Sequence, residues 1–416
     1  MRPQPAGLWR NPDFLKFWVG QSISFFGSEV TALALPLTAV LILQATPAQM
    51  GSLVALRNLP FIFVGLLAGV WVDRMRRRPL LIGADLGNAL LLGSIPAAYI
   101  FGWLSMEHLY VVTFLAGTIF VISMVAYQSF IPSLVQRQQL VEGNSKLEVS
   151  SSVAGIVGPG LAGVLVQLVT APIAILVDGA SFLVSALFLG SIRTPEPPPI
   201  PHDQQRNVWG QIAEGMRRVI ANPLLSALVR CGATHNFFSR MMEALYVLYL
   251  VRELGIDPLL LGVILACGGP GALAGALLAA PAAKRLGLGP TIVWMQVLTG
   301  VARLCIPLAG GPLPVTVGLL MLGEFLLGVA RPIFNVNQVS LRQSITPDRL
   351  QGRVNATMRF IMWSVTPVGA LVGGVLGSII SLRTTLLLAA TGVLLAFLWV
   401  YFSPLRSLRE QPEVRE

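Results

Sequence analysis

The sequence predicts an all-α membrane protein, twelve transmembrane helices arranged as two six-helix bundles. Three observations carry this. About twelve apolar stretches, each near the ~20 residues a bilayer requires, follow one another with short polar breaks. Basic residues crowd into alternate breaks: Arg74, Arg76, Arg77 and Arg78 in the second, Arg137 and Lys146 in the fourth, Arg193, Arg206, Arg217 and Arg218 in the sixth. Lys284 and Arg285 continue the series in the eighth, and Arg342, Arg349 and Arg353 in the tenth, whereas the odd-numbered breaks hold only Arg252 and Arg383. Positive flanks resist translocation, so this bias puts both termini in the cytoplasm. Finally, the chain is 54% hydrophobic and 12% charged, against about 25% charged in an ordinary soluble domain.

The first bundle, residues 1–192, holds apolar stretches at 14–43, 49–72, 79–102, 109–131, 147–169 and 172–192. An interval at 193–222 opens with Pro195, Pro197, Pro198, Pro199 and Pro201, which bar a helix. Beyond them Val208, Trp209, Ile212, Met216, Val219 and Ile220 recur at helical spacing, with Gln211, Glu214, Arg217 and Arg218 on the other face. That pattern predicts a helix lying in the cytoplasmic interface; a solvated linker helix is the alternative. The second bundle, 223–405, holds stretches at 224–250, 258–282, 290–309, 313–336, 354–378 and 383–403, and 406–416 form a cytoplasmic tail. The halves resemble each other weakly: Pro60 answers to Pro270, Gly65 to Gly275, Asn144 to Asn355, Gly158 to Gly369 and Gly163 to Gly374. Duplicated bundles of this kind place a solute site near the bilayer midplane.

Other classes fit poorly. The net charge of +10 lies in cytoplasmic loops, where it meets membrane lipid headgroups, so no nucleic-acid partner is expected. Cys231, Cys267 and Cys305 all fall inside apolar stretches, which leaves no disulfide or metal spacing. No cofactor is expected, and the G-x-x-x-x-G-K-S/T loop of ATP-driven machines is absent from the sequence. Histidines at 108, 202 and 235 are scattered, against an intramembrane enzyme. The first apolar stretch is too long for a signal peptide and reads as a retained helix.

Two motifs stand out. Gly69-Val70-Trp71-Val72-Asp73-Arg74-Met75-Arg76-Arg77-Arg78 follows the second stretch. It resembles the signature loop of the major facilitator superfamily, G-x-x-x-D-R-x-G-R-R/K, with Arg76 where the family has glycine. The fifth stretch carries Ala154-Gly155-Ile156-Val157-Gly158-Pro159-Gly160-Leu161-Ala162-Gly163, which resembles the family's antiporter motif, G-x-x-x-G-P-x-x-G-G. Proline there bends the helix and the glycines admit a close neighbour. Pro132–Asn144 and Gln343–Asn355, with Trp18-Val19-Gly20-Gln21, are similar to the branch of macrolide-efflux proteins and enterobactin exporters. The family's arginine near the start of the fourth helix is missing, with none between His108 and Ile131.

The resemblance implies a non-enzymatic secondary transporter working by alternating access in a bacterial cytoplasmic membrane. It implies export of a small amphipathic or hydrophobic compound, drug-like or siderophore-like, by proton antiport, from a monomer. Gly69, Asp73, Arg74, Arg77 and Arg78 would form a cytoplasmic gate, and Gly158, Pro159 and Gly163 the helix-5 kink. An importer or uniporter of the same fold is the alternative, and a membrane sensor a more distant one.

Ionisable groups inside membrane helices cost roughly 2.5–3.5 kcal/mol each on insertion scales and mark function by default. Glu29 lies about halfway along the first stretch among Phe25, Phe26 and Gly27. It serves either as the protonation switch or substrate contact, or as a structural partner of Arg57 in the second stretch. In the second half, Arg240 and Glu243 are three apart on one helix, and Glu324 and Arg331 are seven apart on another, hence on one face each. These four either line a substrate cavity or pair among themselves. Asp85 reads as structural, Asp178 and Arg303 as ambiguous, Arg230 and Arg359 as snorkelling, and His235 as a hydrogen-bonded packing residue.

Overall fold

The computed structural model describes residues 8–64, 72, 75–196 and 208–410, and every regular element among them is helical. In chain order, α1 (Pro12–Ile42), α2 (Pro47–Asn58), α3 (Arg77–Ile100), α4 (Met106–Leu134), α5 (Arg137–Val169) and α6 (Ala171–Gly190) precede a linker helix, Val208–Ala221. Then come α7 (Pro223–Arg252), α8 (Pro258–Leu286), α9 (Leu288–Leu308), α10 (Leu313–Ser344), α11 (Leu350–Ile379) and α12 (Leu382–Tyr401). Ten of these, all but α2, the linker helix and α7, are long and apolar enough to cross a membrane.

Ten rather than twelve has a physical cause. At 30 residues α7 has the length, but Arg230, His235, Asn236, Arg240 and Glu243 interrupt its apolar run. The second stretch is broken. Its helix α2 stops at Asn58, a four-residue helix Pro60–Phe63 follows, and 65–71 lie outside the described residues.

Local sequence explains where helices begin. Asn11 caps α1 by accepting the Asp13 and Phe14 amides at 3.1 Å each, with Pro12 in the first position. Asn222 does the same for α7 with Leu224 and Leu225 ahead of Pro223. Ser105 and Ser381 cap α4 and α12.

The chain packs as two compact units. Met1–Ala45, Leu56–Asp203 and Asp257–Val263 make the first, and Thr46–Ala55, Gln204–Ile256 and Ile264–Glu416 the second. In the first, α1 packs on α5 and α6, and α3 on α4 and α6, over a core that includes Phe14, Phe17, Phe130 and Leu189. In the second, α8 and α9 flank α10 while α7 lies on α11 and α12, with Val229, Ile292, Leu341 and Met358 in its core. Lipid tails are as apolar as leucine, so close backbone approach holds membrane helices together. A Cβ on Gly328 of α10 would stand 2.9 Å from the Ala272 nitrogen of α8. One on Gly373 of α11 would stand 2.6 Å from the Met241 carbonyl oxygen of α7.

Candidate functional site in the membrane helices

In the first unit the candidate groups gather around α1. Glu29 projects against α5 at Gly158: a Cβ there would stand 2.5 Å from the Glu29 Cβ and 2.8 Å from its Cγ. The glycine of the Gly158-Pro159 pair is therefore the floor on which the carboxylate stem rests. Arg57, in the last turn of α2, acts on Glu29 electrostatically and is itself exposed. The α2 backbone at Arg57 comes close to α4 because residue 117 is glycine; a Cβ would stand 2.6 Å from the Arg57 carbonyl oxygen. Pro159 lies inside an unbroken α5. Gly163, one turn on, admits the start of α8, where a Cβ would stand 2.7 Å from the Pro258 carbonyl oxygen.

Two further acids belong to this unit. Asp178 of α6 is 2% exposed and accepts the Ser181 hydroxyl at 3.3 Å and the Ser28 hydroxyl at 3.5 Å. Asp85 of α3 bonds Ser185 of α6, which also accepts the Gln21 amide at 3.3 Å, and its second carboxyl oxygen is buried without a partner. Asp85 is thus tied to α6 by a serine that carries no signal in the sequence.

Of the expected cytoplasmic gate, Gly69, Asp73 and Arg74 lie outside the described residues. Arg77 and Arg78 open α3, and Glu196 caps them, accepting the Arg77 amide at 2.5 Å and the Arg78 amide at 3.1 Å. The Arg78 side chain donates to the Leu189 and Gly190 carbonyls at the end of α6, where the helix dipole favours a cation. Asp13 at the start of α1 accepts the Arg193 and Thr194 amides at 3.1 and 2.8 Å. Glu196 was not apparent from the sequence, because a carboxylate within a proline run resembles any solvated linker charge.

The second unit holds a polar cluster drawn from three helices. Arg240 and Glu243 of α7 form an ion pair, with Arg240 lying 6.0 Å from the Trp363 ring centroid. Glu324 of α10 accepts the Tyr246 hydroxyl of α7 at 3.1 Å, and Arg303 of α9 and Arg331 of α10 act on it electrostatically. His235 is a packing residue of defined tautomer. Gln296 Nε2 donates to the Val393 carbonyl at 2.9 Å and to His235 Nδ1 at 3.2 Å, so the imidazole proton sits on Nε2, which faces Ser239 at 3.3 Å. The sequence marked Arg240, Glu243, Glu324 and Arg331. Tyr246 and Gln296 were invisible, since a tyrosine or glutamine in an apolar helix signals nothing until its partner is placed.

A profile of the family described as transmembrane secretion effector matches residues 6–415. The chain belongs to that family, within the major facilitator superfamily. Among its relatives is the multidrug efflux pump Tap of Mycolicibacterium fortuitum, 29% identical over 92% of this chain and 93% of that protein. Macrolide efflux protein A of Streptococcus pyogenes is 25% identical over 91% of this chain and 92% of its own length. The fold also matches a bacterial homologue of the iron transporter ferroportin, with a TM-score of 0.74 at 16% identity over 95% of this chain and 99% of that one. A bacterial homologue of the lysosomal transporter Spinster gives 0.72 at 14% identity over 95% and 97%. The chain is therefore a multi-pass membrane transporter of the macrolide-efflux branch, not an enzyme, and its substrate is a small molecule.

Proposed function

We propose that this secretion-effector family member exports a small amphipathic or hydrophobic compound, drug-like or siderophore-like, across the bacterial cytoplasmic membrane. It works by alternating access of two six-helix bundles, 1–192 and 223–405, joined by the 193–222 linker. Both termini are cytoplasmic, the functional unit is a monomer in lipid, and proton entry supplies the drive. One observation carries the coupling assignment: the Glu29 side chain rests on Gly158 of the antiporter-like motif. An acid held against the backbone of a second helix links its charge state to how those helices pack. The named activities of the efflux relatives support the direction of transport.

The test is flux through the purified full chain in proteoliposomes under an imposed pH gradient, with lipophilic cations, macrolides and catecholates as probes. Glu29→Gln should abolish gradient-driven accumulation and leave passive exchange. Full gradient-driven accumulation by that variant would remove Glu29 from the coupling role.

A further inference from the structure

The two units differ in the sign of the charge they hold within the membrane. In the first, the acids Glu29, Asp85 and Asp178 outnumber Arg57. In the second, among the described residues, Arg240, Arg303 and Arg331 stand against Glu243 and Glu324, and His235 carries its single proton on Nε2. Glu243 is already engaged by Arg240, and Glu324 by the Tyr246 hydroxyl. Arg331 makes no ion pair within 4.0 Å among the described residues and is exposed. Glu324 and Glu243 act on Arg331 electrostatically, so three guanidinium groups share two carboxylates and one positive charge is in excess.

That charge belongs to a longer row. At 100° per residue, positions 324, 331, 335, 338 and 342 of α10 fall within about 60° of one another. They are Glu324, Arg331, Asn335, Gln338 and Arg342. Val315, Leu322, Phe325 and Val336, all exposed, lie on the other side of the helix, the face suited to lipid. The row is therefore turned away from that apolar face. Arg359 of α11 lies within electrostatic reach of Arg342, adding a like charge. On α9 and α10 the buried side-chain polar atoms without a hydrogen-bond partner are all nitrogens: Arg303 Nε, Gln338 Nε2 and Arg342 Nε. A buried donor with no acceptor is costly, so a face that repeats this arrangement is built for a ligand that brings acceptors.

We infer that the compound carried by this transporter bears an acidic group (carboxylate, sulfonate or phosphate) which docks on Arg331 and Arg303 of the second unit. This rests on the transport reading above and narrows it to acidic or zwitterionic amphipaths, with the apolar body contacting aromatic surface such as Trp363. The pairing is charge-assisted, and a guanidinium group donates to two such oxygens at a time.

The test compares acid and ester forms of the same probe on the full chain in nanodiscs. Tetramethylrhodamine free acid is set against its methyl ester, and dansylglycine against its methyl ester, with binding read by fluorescence anisotropy. Each acid should bind about ten- to hundredfold more tightly than its ester, the range that a hydrogen bond to a charged group corresponds to. Arg331→Gln and Arg303→Gln should remove most of that preference while ester binding falls far less, and Arg331→Lys should keep part of it. Ester binding also reports that each variant is folded. Equal affinities, a preference for the esters, or no binding of any of the four probes would overturn the inference. Phosphatidylcholine discs are compared with discs containing phosphatidylglycerol. An unchanged acid preference assigns the site to the cargo, and loss of acid binding in the anionic discs assigns it to a lipid headgroup and overturns the cargo assignment. Acid-selective binding without gradient-driven flux would sink the export reading alone. Flux of the esters without acid preference would sink this inference alone.

Discussion

Gly158→Ala is the sharpest available probe of the Glu29 site. The added methyl would stand 2.5 Å from the Glu29 Cβ and 2.8 Å from its Cγ, whereas carbon atoms rest at about 3.5–4.0 Å. Rotation about χ1 can carry Cγ away, but Cβ is fixed by the backbone, so no rotamer of Glu29 relieves the first clash. The α1 and α5 backbones must therefore separate by about 1 Å. Overpacking of this kind costs about 1–3 kcal/mol. In thermal melts of detergent-solubilised protein, Gly158→Ala should lower the transition, and proton-driven flux in proteoliposomes should fall by about tenfold. Second-site variants locate the cause. Glu29→Ala keeps the Cβ and should not restore the melt of Gly158→Ala, whereas Glu29→Gly removes it and should restore stability relative to Glu29→Gly alone. A Gly158→Ala protein with wild-type melting and wild-type flux would refute the packing argument.

Two further outcomes follow from the geometry. Glu196→Ala removes the carboxylate that accepts the first two amides of α3, so it should cost about 0.5–2 kcal/mol in thermal melts, with Glu196→Gln losing less. Tyr246→Phe deletes the hydroxyl donated to Glu324 and should cost about 1.5–3 kcal/mol in the same assay; an unchanged melt would mean that the carboxylate has another donor.

Much of the architecture was readable from charge and hydropathy because those properties are summed over whole segments. A single misplaced residue hardly alters an apolar run of twenty. The same summation still marked 224–250, although Arg240, Glu243 and His235 of α7 lower its apolar character below that of the ten candidate spans. The candidate site was readable in part, through the rarity of charge in membrane helices: Glu29, Arg240, Glu243, Glu324 and Arg331 could be marked because each is expensive. What could not be read was who meets whom. The Ser185 bond to Asp85, the Tyr246 bond to Glu324 and the Gln296 bridge to His235 join residues far apart in the chain. Cheap residues such as serine, glutamine and tyrosine leave no compositional trace of such meetings. Glycine was equally mute: Gly158 was marked as part of a helix bend, whereas its specific contact is with Glu29.

Helix α10 divides its labour by face. Gly328 clamps it to α8 backbone to backbone, so its position in the unit is set without reference to what the residues of its polar row are. A lineage can then exchange Arg331, Asn335 or Gln338 for side chains of other chemistry without disturbing the scaffold that holds them. If that row meets the cargo, new cargo becomes reachable by single substitutions along one meridian of one rod, a route by which a common framework can diversify what it carries.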